Sequence, residues 1–299
     1  MDLEKDLLTT VVGSYPATPT KERLQRSRFS DTDPFMESLE ESVKAQLDSG
    51  IELVSDGQTR GTMTEIFAQD LRGYRIRDKV EIVSEVGYTG EITVGDAEEA
   101  RKLLPEGTGL KGIITGPWTM VKSSSDKHYE SHKEAVLDTA EALNQEAENL
   151  AKICDVVQLD EPFFSNQLPP YGKNAVEKVL DVDVPTKLHV CGDVTAIIAE
   201  LVEIDVDILD HEFAANPQLY DAYGEIENPH RMSVGAVTTE PEVEGVETIK
   251  ERIDMAYETF GPKTMIDPDC GLRNLKEEKA RAKLKNMVKA RDVVLDERS

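Results

Sequence analysis

Eight short apolar runs rich in β-branched residues recur along the chain, separated by longer stretches with the spacing of amphipathic helices. They are LTTVVGSYP (8–16), IELVSDG (51–57), GLKGIITGP (109–117), VVQLDEP (156–162), TKLHVCGD (186–193), VDILDHEFA (206–214), RMSVGAV (231–237) and KTMIDPDCG (263–271). Strand-like runs alternating with helices are the pattern of βα units around a parallel sheet. Several runs lack polar alternation, as expected where both faces of a strand are covered. In DPFMESLEESVKAQLDSG, Phe35, Leu39, Val43 and Leu47 recur every four residues and Gly50 supplies a stop. Residues 129–152, 246–259 and 275–295 follow the same rule. Eight strands, mostly followed by helices, within 299 residues predict an α/β fold, a TIM (β/α)8 barrel forming one catalytic domain over residues 1–299. The stretch VEIVSEVGYTGEITVGD (80–96) alternates with period two about GYTG. It predicts a β-hairpin inserted after the second βα unit.

In such a barrel the active site forms where the strands end. Those ends bear Ser14, Asp56-Gly57-Gln58, Asp160-Glu161, His189 with Cys191, Asp210 to Glu212, and Asp269-Cys270-Gly271. On a strand, residues i and i+2 face the same way, so His189 and Cys191 can aim at one point. A His-x-Cys pair on an apolar strand also fits plain core packing, because free cysteine is commonly buried. Cys270 in a second strand-end motif favours a metal, and soft sulfurs beside an imidazole favour zinc. The spacing leaves the fourth ligand open among Asp210, His211 and Glu212. Asp160 and Glu161 read either as helix caps or as a carboxylate, Asp160, that faces the cavity and accepts hydrogen bonds from a substrate ammonium. Trp118, the single tryptophan, is expected to pack, and His128, His211 and His230 to lie at the surface or cap helices.

Three cysteines, Cys154, Cys191 and Cys270, cannot build a disulfide framework. The start MDLEKDLLTT has no apolar signal region, and no window of about 18 uncharged apolar residues exists, so a cytoplasmic enzyme with no membrane partner is expected. A formal net charge of -25 argues against nucleic acid as a partner. The segments 17–32 and 122–130, rich in polar residues, are candidates for a mobile rim.

Seven motifs in order, VVGSYP, SDGQTRGTM, ITGPWTM, VVQLDEP, KLHVCGD, DILDHEF and IDPDCGLR, span nearly the whole chain. Through them the chain resembles the C-terminal catalytic domain of cobalamin-independent methionine synthase, and more closely the short archaeal methionine synthases. The resemblance implies zinc held by His189, Cys191, Glu212 and Cys270. It implies homocysteine held by the Ser14 loop, Gln58 and Asp160, and a catalytic set of Asp160, His189, Cys191 and Cys270. The implied reaction is methyl transfer to the homocysteine sulfur. A catalytic zinc needs an open position, so Glu212, the hard oxygen ligand, is expected to be displaced or lengthened when that sulfur arrives. Three departures stand out. Counting from Gly116-Pro117, Ser123 falls where folate-using members have a stacking tryptophan. Anchored on Pro241, Thr239 falls where they have a histidine that helps protonate the folate leaving group. Gln58 replaces a substrate-binding glutamate. Methyltetrahydrofolate is a poor leaving group without an acid, so the expected donor is methylcobalamin or a methylated corrinoid protein, as in the short archaeal relatives. The competing readings are a methyltransferase acting on another thiol, such as coenzyme M, and a non-catalytic zinc scaffold or homocysteine-binding protein.

Overall fold

The computed structural model describes residues 1–27, 29 and 32–298. Its strands, in chain order, are β1 (Leu53–Val54), β2 (Arg72–Ile76), β3 (Val80–Gly87), β4 (Gly109–Thr115), β5 (Ser125–Asp126), β6 (Val156–Asp160), β7 (Thr186–Val190), β8 (Ile208–His211), β9 (Arg231–Val237) and β10 (Met265–Pro268). Seven of them form one parallel sheet in the order β1-β4-β6-β7-β8-β9-β10. The first apolar run closes the ring: Thr9 bridges Ile266 of β10 and Thr10 bridges Leu53 of β1, both parallel. This run is ladder-bonded only at those two residues, shorter than the expected 8–16, because its chain turns into the barrel mouth at Gly13 and Ser14. Burial explains the apolar composition. Every residue of β4, β6, β7, β8 and β10 is buried, enclosed by helices outside and side chains within.

The helices follow the periodic segments. Met36–Leu47 buries Leu39 and Val43 and ends before Gly50, whose φ of +85° is the left-handed stop its sequence predicts. His132–Leu150, Val246–Phe260 and Glu277–Arg298 cover the other predicted stretches.

The hairpin predicted over 80–96 is misplaced. β3 does form, but its antiparallel partner is the preceding β2, with the turn at residues 77–79, and β5 adds a third strand on the other side. After Tyr88 the chain enters the helix Val94–Lys102 instead of a returning strand. The buried Glu146 carboxylate explains this. It accepts hydrogen bonds from Ile92 N (3.0 Å), Thr93 N (2.6 Å), Thr93 Oγ1 (2.8 Å) and Tyr88 Oη (2.8 Å), so those backbone donors cannot join a ladder. The predicted mobile segment 122–130 is also fastened: Lys127 N bonds to Ile82 O and the Lys127 ammonium reaches Glu81. In the other rim segment, 17–32, Lys21–Ser27 is helical, while positions 28, 30 and 31 lie outside the described residues. No helix among the described residues is long and apolar enough to cross a membrane.

Candidate metal centre and substrate pocket

Parallel register brings the strand-end residues to one rim. His189 lies near the end of β7, Cys191 follows it, and Cys270 follows β10. His189 Nε2 is 3.0 Å from Cys191 Sγ, the two sulfurs are 3.2 Å apart, and all three donor atoms lie within 4.8 Å of one another. One nitrogen and two soft sulfurs at this spacing fit zinc, which accepts both. The two thiols are within hydrogen-bond reach of each other. The hydrogen bond from Cys191 holds Cys270 well below the ordinary thiol range, with His189 assisting; the same bond, then burial, pushes Cys191 well above it.

Behind the cluster, Asp210 Oδ2 lies 2.8 Å from His189 Nδ1 and 3.0 Å from the buried Lys187 ammonium. The β7–β8 ladder sets His189 directly opposite Asp210, so register alone makes this pair. Burial works against a charged His189, but the Asp210 carboxylate outweighs it and raises the imidazole well above its usual value. Burial likewise opposes the Asp210 charge, and Lys187 with His189 overcomes it, holding the carboxyl far below the usual range. A carboxylate on the far nitrogen fixes the tautomer and the aim of a metal-binding ring. Asp210, an open candidate for the metal in the sequence, therefore sits behind His189 and outside the His189-Cys191-Cys270 cluster. His211 is corrected outright. It is neither exposed nor a cap but fully buried, paired with Tyr223 Oη at 2.8 Å and Val190 O at 3.2 Å, and burial lowers its pKa to about 4. His230 does cap, with its ring nitrogens on Val202 O and Val206 O, and His128 is exposed.

Glu212 lies outside the cluster of three. Its half-buried carboxyl faces the Gly192 N–H and the Cys191 thiol, and burial, then Cys270, raises its pKa above the usual range.

A cavity of about 360 Å³ opens beside the cluster, lined by Ser14, Gln58, Asp160, His189, Cys191 and Cys270 together with Arg273. Its size suits a small-molecule ligand. Backbone bonds zip three strand-end loops into its wall: Tyr15 N to Gly57 O (3.0 Å) and Leu272 N to Ser14 O (2.8 Å). Gly57 is obligatory there, with φ +84° and a hypothetical Cβ only 1.9 Å from Ser42 Oγ. Gln58 itself sits at φ +47°, a conformation that costs energy for a side-chain-bearing residue and is held by the Arg273 guanidinium on its carbonyl.

The adjacent carboxylates Asp160 and Glu161 divide the two roles that the sequence left open. Asp160 lines the cavity, and burial above all raises its pKa to about 6. Glu161 points away and caps the neighbouring helix Pro117–Lys122, accepting from Trp118 N, Thr119 N and Thr119 Oγ1 at 2.7–2.9 Å. Trp118 is packed, 3 % exposed and edge-on to Tyr171.

Two lysines inside the barrel escaped sequence reasoning. Lys187 joins Asp210, Asp267 and Ser233; Lys111 joins Val11 O and Gln158. Their sole sequence signal is a lysine in the middle of an otherwise apolar strand, which also fits a long side chain reaching the surface.

A family model described as "Cobalamin-independent synthase, Catalytic domain" matches residues 7–292. The methionine synthase of Methanothermobacter marburgensis is 39 % identical, over 95 % of this chain and 99 % of its own. That of Methanocaldococcus jannaschii is 35 % identical, over 96 % of this chain and 99 % of its own. Among solved structures, a B12-independent methionine synthase from Shewanella sp. W3-18-1 in complex with selenomethionine superposes with a TM-score of 0.83 at 23 % identity. The match covers 98 % of each chain, and that likeness supports the barrel fold. Family model and archaeal relatives span the strands, the loops and the residues around the cavity, so the chain belongs to the cobalamin-independent methionine synthase catalytic-domain family and is an enzyme of the methyltransferase class.

Proposed function

We propose that this enzyme makes methionine by zinc-dependent transfer of a methyl group to the sulfur of homocysteine. The observation that supports it is the meeting of His189, Cys191 and Cys270 on the wall of the same cavity that Ser14, Gln58 and Asp160 line. His189 Nε2 and the two sulfurs would hold the metal, with Glu212 as the fourth donor that yields to the incoming sulfur. When bound, zinc supplies the Lewis acidity that strips the proton from a thiol at neutral pH. Everything else falls to the chain. Asp210 orients His189, Asp160 receives the substrate ammonium, and the Ser14–Gly57–Leu272 bonds keep the pocket's wall in place. In the transfer, a new S–CH3 bond forms as the donor's bond to the methyl group breaks.

For the donor we propose methylcobalamin or a methylated corrinoid protein. Ser123, where a stacking ring would stand, ties its hydroxyl to Thr119 O at the end of a helix, and Thr239 is exposed. Neither offers a flat surface or an acid. The family's description as cobalamin-independent speaks for the opposite choice. Zinc-loaded protein given homocysteine and either methylcobalamin or methyltetrahydrofolate decides it: faster methionine formation from the corrinoid is expected, and a faster folate reaction overturns the donor. Cys270→Ser is the control, expected to lose zinc and activity while keeping its circular-dichroism spectrum.

The coenzyme M alternative needs an arginine clamp for a sulfonate. Arg60 is taken up by Asp33 and Asp96, and Arg273 by the carbonyls of Gln58 and Gly61. That commitment favours an amino-acid thiol.

A further inference from the structure

Lys111 on β4 and Gln158 on β6 are both sealed inside the barrel, 1 % and 0 % exposed. The Lys111 Nζ donates to Val11 O and, at 2.6 Å, to Gln158 Oε1. The Gln158 Nε2 then spends both of its hydrogens, one on Val12 O at 2.8 Å and one on Asp160 Oδ1 at 2.6 Å. An amide ordinarily turns over at little cost because its two ends are nearly the same shape. Here it cannot. The reversed amide would aim its oxygen at a carbonyl and a carboxylate while presenting hydrogens to an amine donor.

Two consequences follow for the pocket. Asp160 Oδ1 is committed to Gln158, and among the described residues no hydrogen bond engages Oδ2, so one defined oxygen of this cavity-lining carboxylate remains for a ligand. The same amide also grips Val12, two residues before Ser14 on the opposite wall. It thereby fixes the carboxylate and the Ser14 loop relative to each other.

We propose that Lys111 and Gln158 are positioning residues that aim the free oxygen of Asp160 and so set the enzyme's preference for a thiol that bears a primary ammonium. This rests on the reading of homocysteine as the acceptor. Neither residue touches the reacting sulfur. Their contribution is the geometry of one charge-assisted contact, strong only when correctly directed in a water-poor site.

The test compares homocysteine with 4-mercaptobutanoate, the same thiol and carboxylate without the amine, in steady-state methyl transfer by zinc-loaded enzyme. Wild type is expected to favour homocysteine by at least about tenfold in kcat/KM, the scale of one charged hydrogen bond. In Gln158→Leu, KM for homocysteine should rise about tenfold or more while kcat falls less, and the constants for 4-mercaptobutanoate should hold within about twofold. Gln158→Glu guards against a folding failure, because it keeps an acceptor for Lys111 yet has no N–H for Asp160; it should lose the same discrimination at wild-type zinc content. Equal losses with both thiols, or a preference retained in the folded variants, overturn the positioning role alone. A wild type that turns over both thiols equally, or neither, overturns the acceptor reading and the positioning role with it.

Discussion

Asp160 shows how much one buried carboxylate is asked to do. Burial raises its pKa to about 6, with Cys270 pushing the same way and His189 and Gln158 pulling it back. Because the shift is upward, the group is neutral below about pH 6 and charged above. A substrate ammonium needs the charged form, so KM for homocysteine should climb as pH falls through about 6. Asp160→Asn should show a KM some tenfold to a hundredfold higher, as loss of about 1.5–3 kcal/mol implies, and no such climb. Initial-rate measurements from pH 5 to 8 on both proteins check this. The residue was legible in the sequence because it ends a strand, and so were His189, Cys191 and Cys270. Asp210 was only half legible: its nearness to the His189 and Cys191 rim could be read, but its place behind His189 depends on which strands are neighbours. The Lys187 pair was not legible, since a lysine in an apolar strand does not name its partner and Asp267 lies 80 positions away.

At the level of elements, strand ends do double duty. Glu161 leaves β6 and closes the start of a helix that belongs to β4, so it couples two βα units. Its pKa is raised by burial to about 7, although three donors face it. Glu161→Gln can offer only one acceptor oxygen where two are used and turns an N–H toward another donor. It should lower unfolding free energy by about 1–3 kcal/mol in urea, with little change in KM because Glu161 does not line the pocket. The barrel strands were readable from composition because burial on both faces leaves no choice of residue type. The insertion was readable as β-structure but not in its pairing. Period-two alternation in 80–96 tells which residues share a face, not which segment answers them, and Glu146, fifty residues on, decides that Ile92 and Thr93 lead into a helix.

At the level of the whole molecule, ring closure is what makes a site from residues so far apart. Bridges at Thr9 and Thr10 tie the first segment to the last strand, β10, and to β1 respectively, bringing Ser14 against Gly271: a Cβ on that glycine would lie 2.1 Å from Ser14 Oγ. The eight-run rhythm announced that closure, whereas the polar interior of the ring had no announcement in any one segment. Closure also sets Cys191 and Cys270, 79 positions apart, with their sulfurs 3.2 Å from each other. If the cluster holds zinc as proposed, metal occupancy and redox state become one variable. Metal-free protein in air is expected to oxidise, because two neighbouring thiols can lose two electrons to oxygen and couple into a disulfide that staples the β7 and β10 loops and takes both sulfur ligands out of the site. Aerated, metal-stripped enzyme should show one titratable thiol after denaturation, that of the buried Cys154, and recover three with dithiothreitol, while zinc-loaded enzyme keeps all three. In this barrel the ion would protect its own binding site from oxygen.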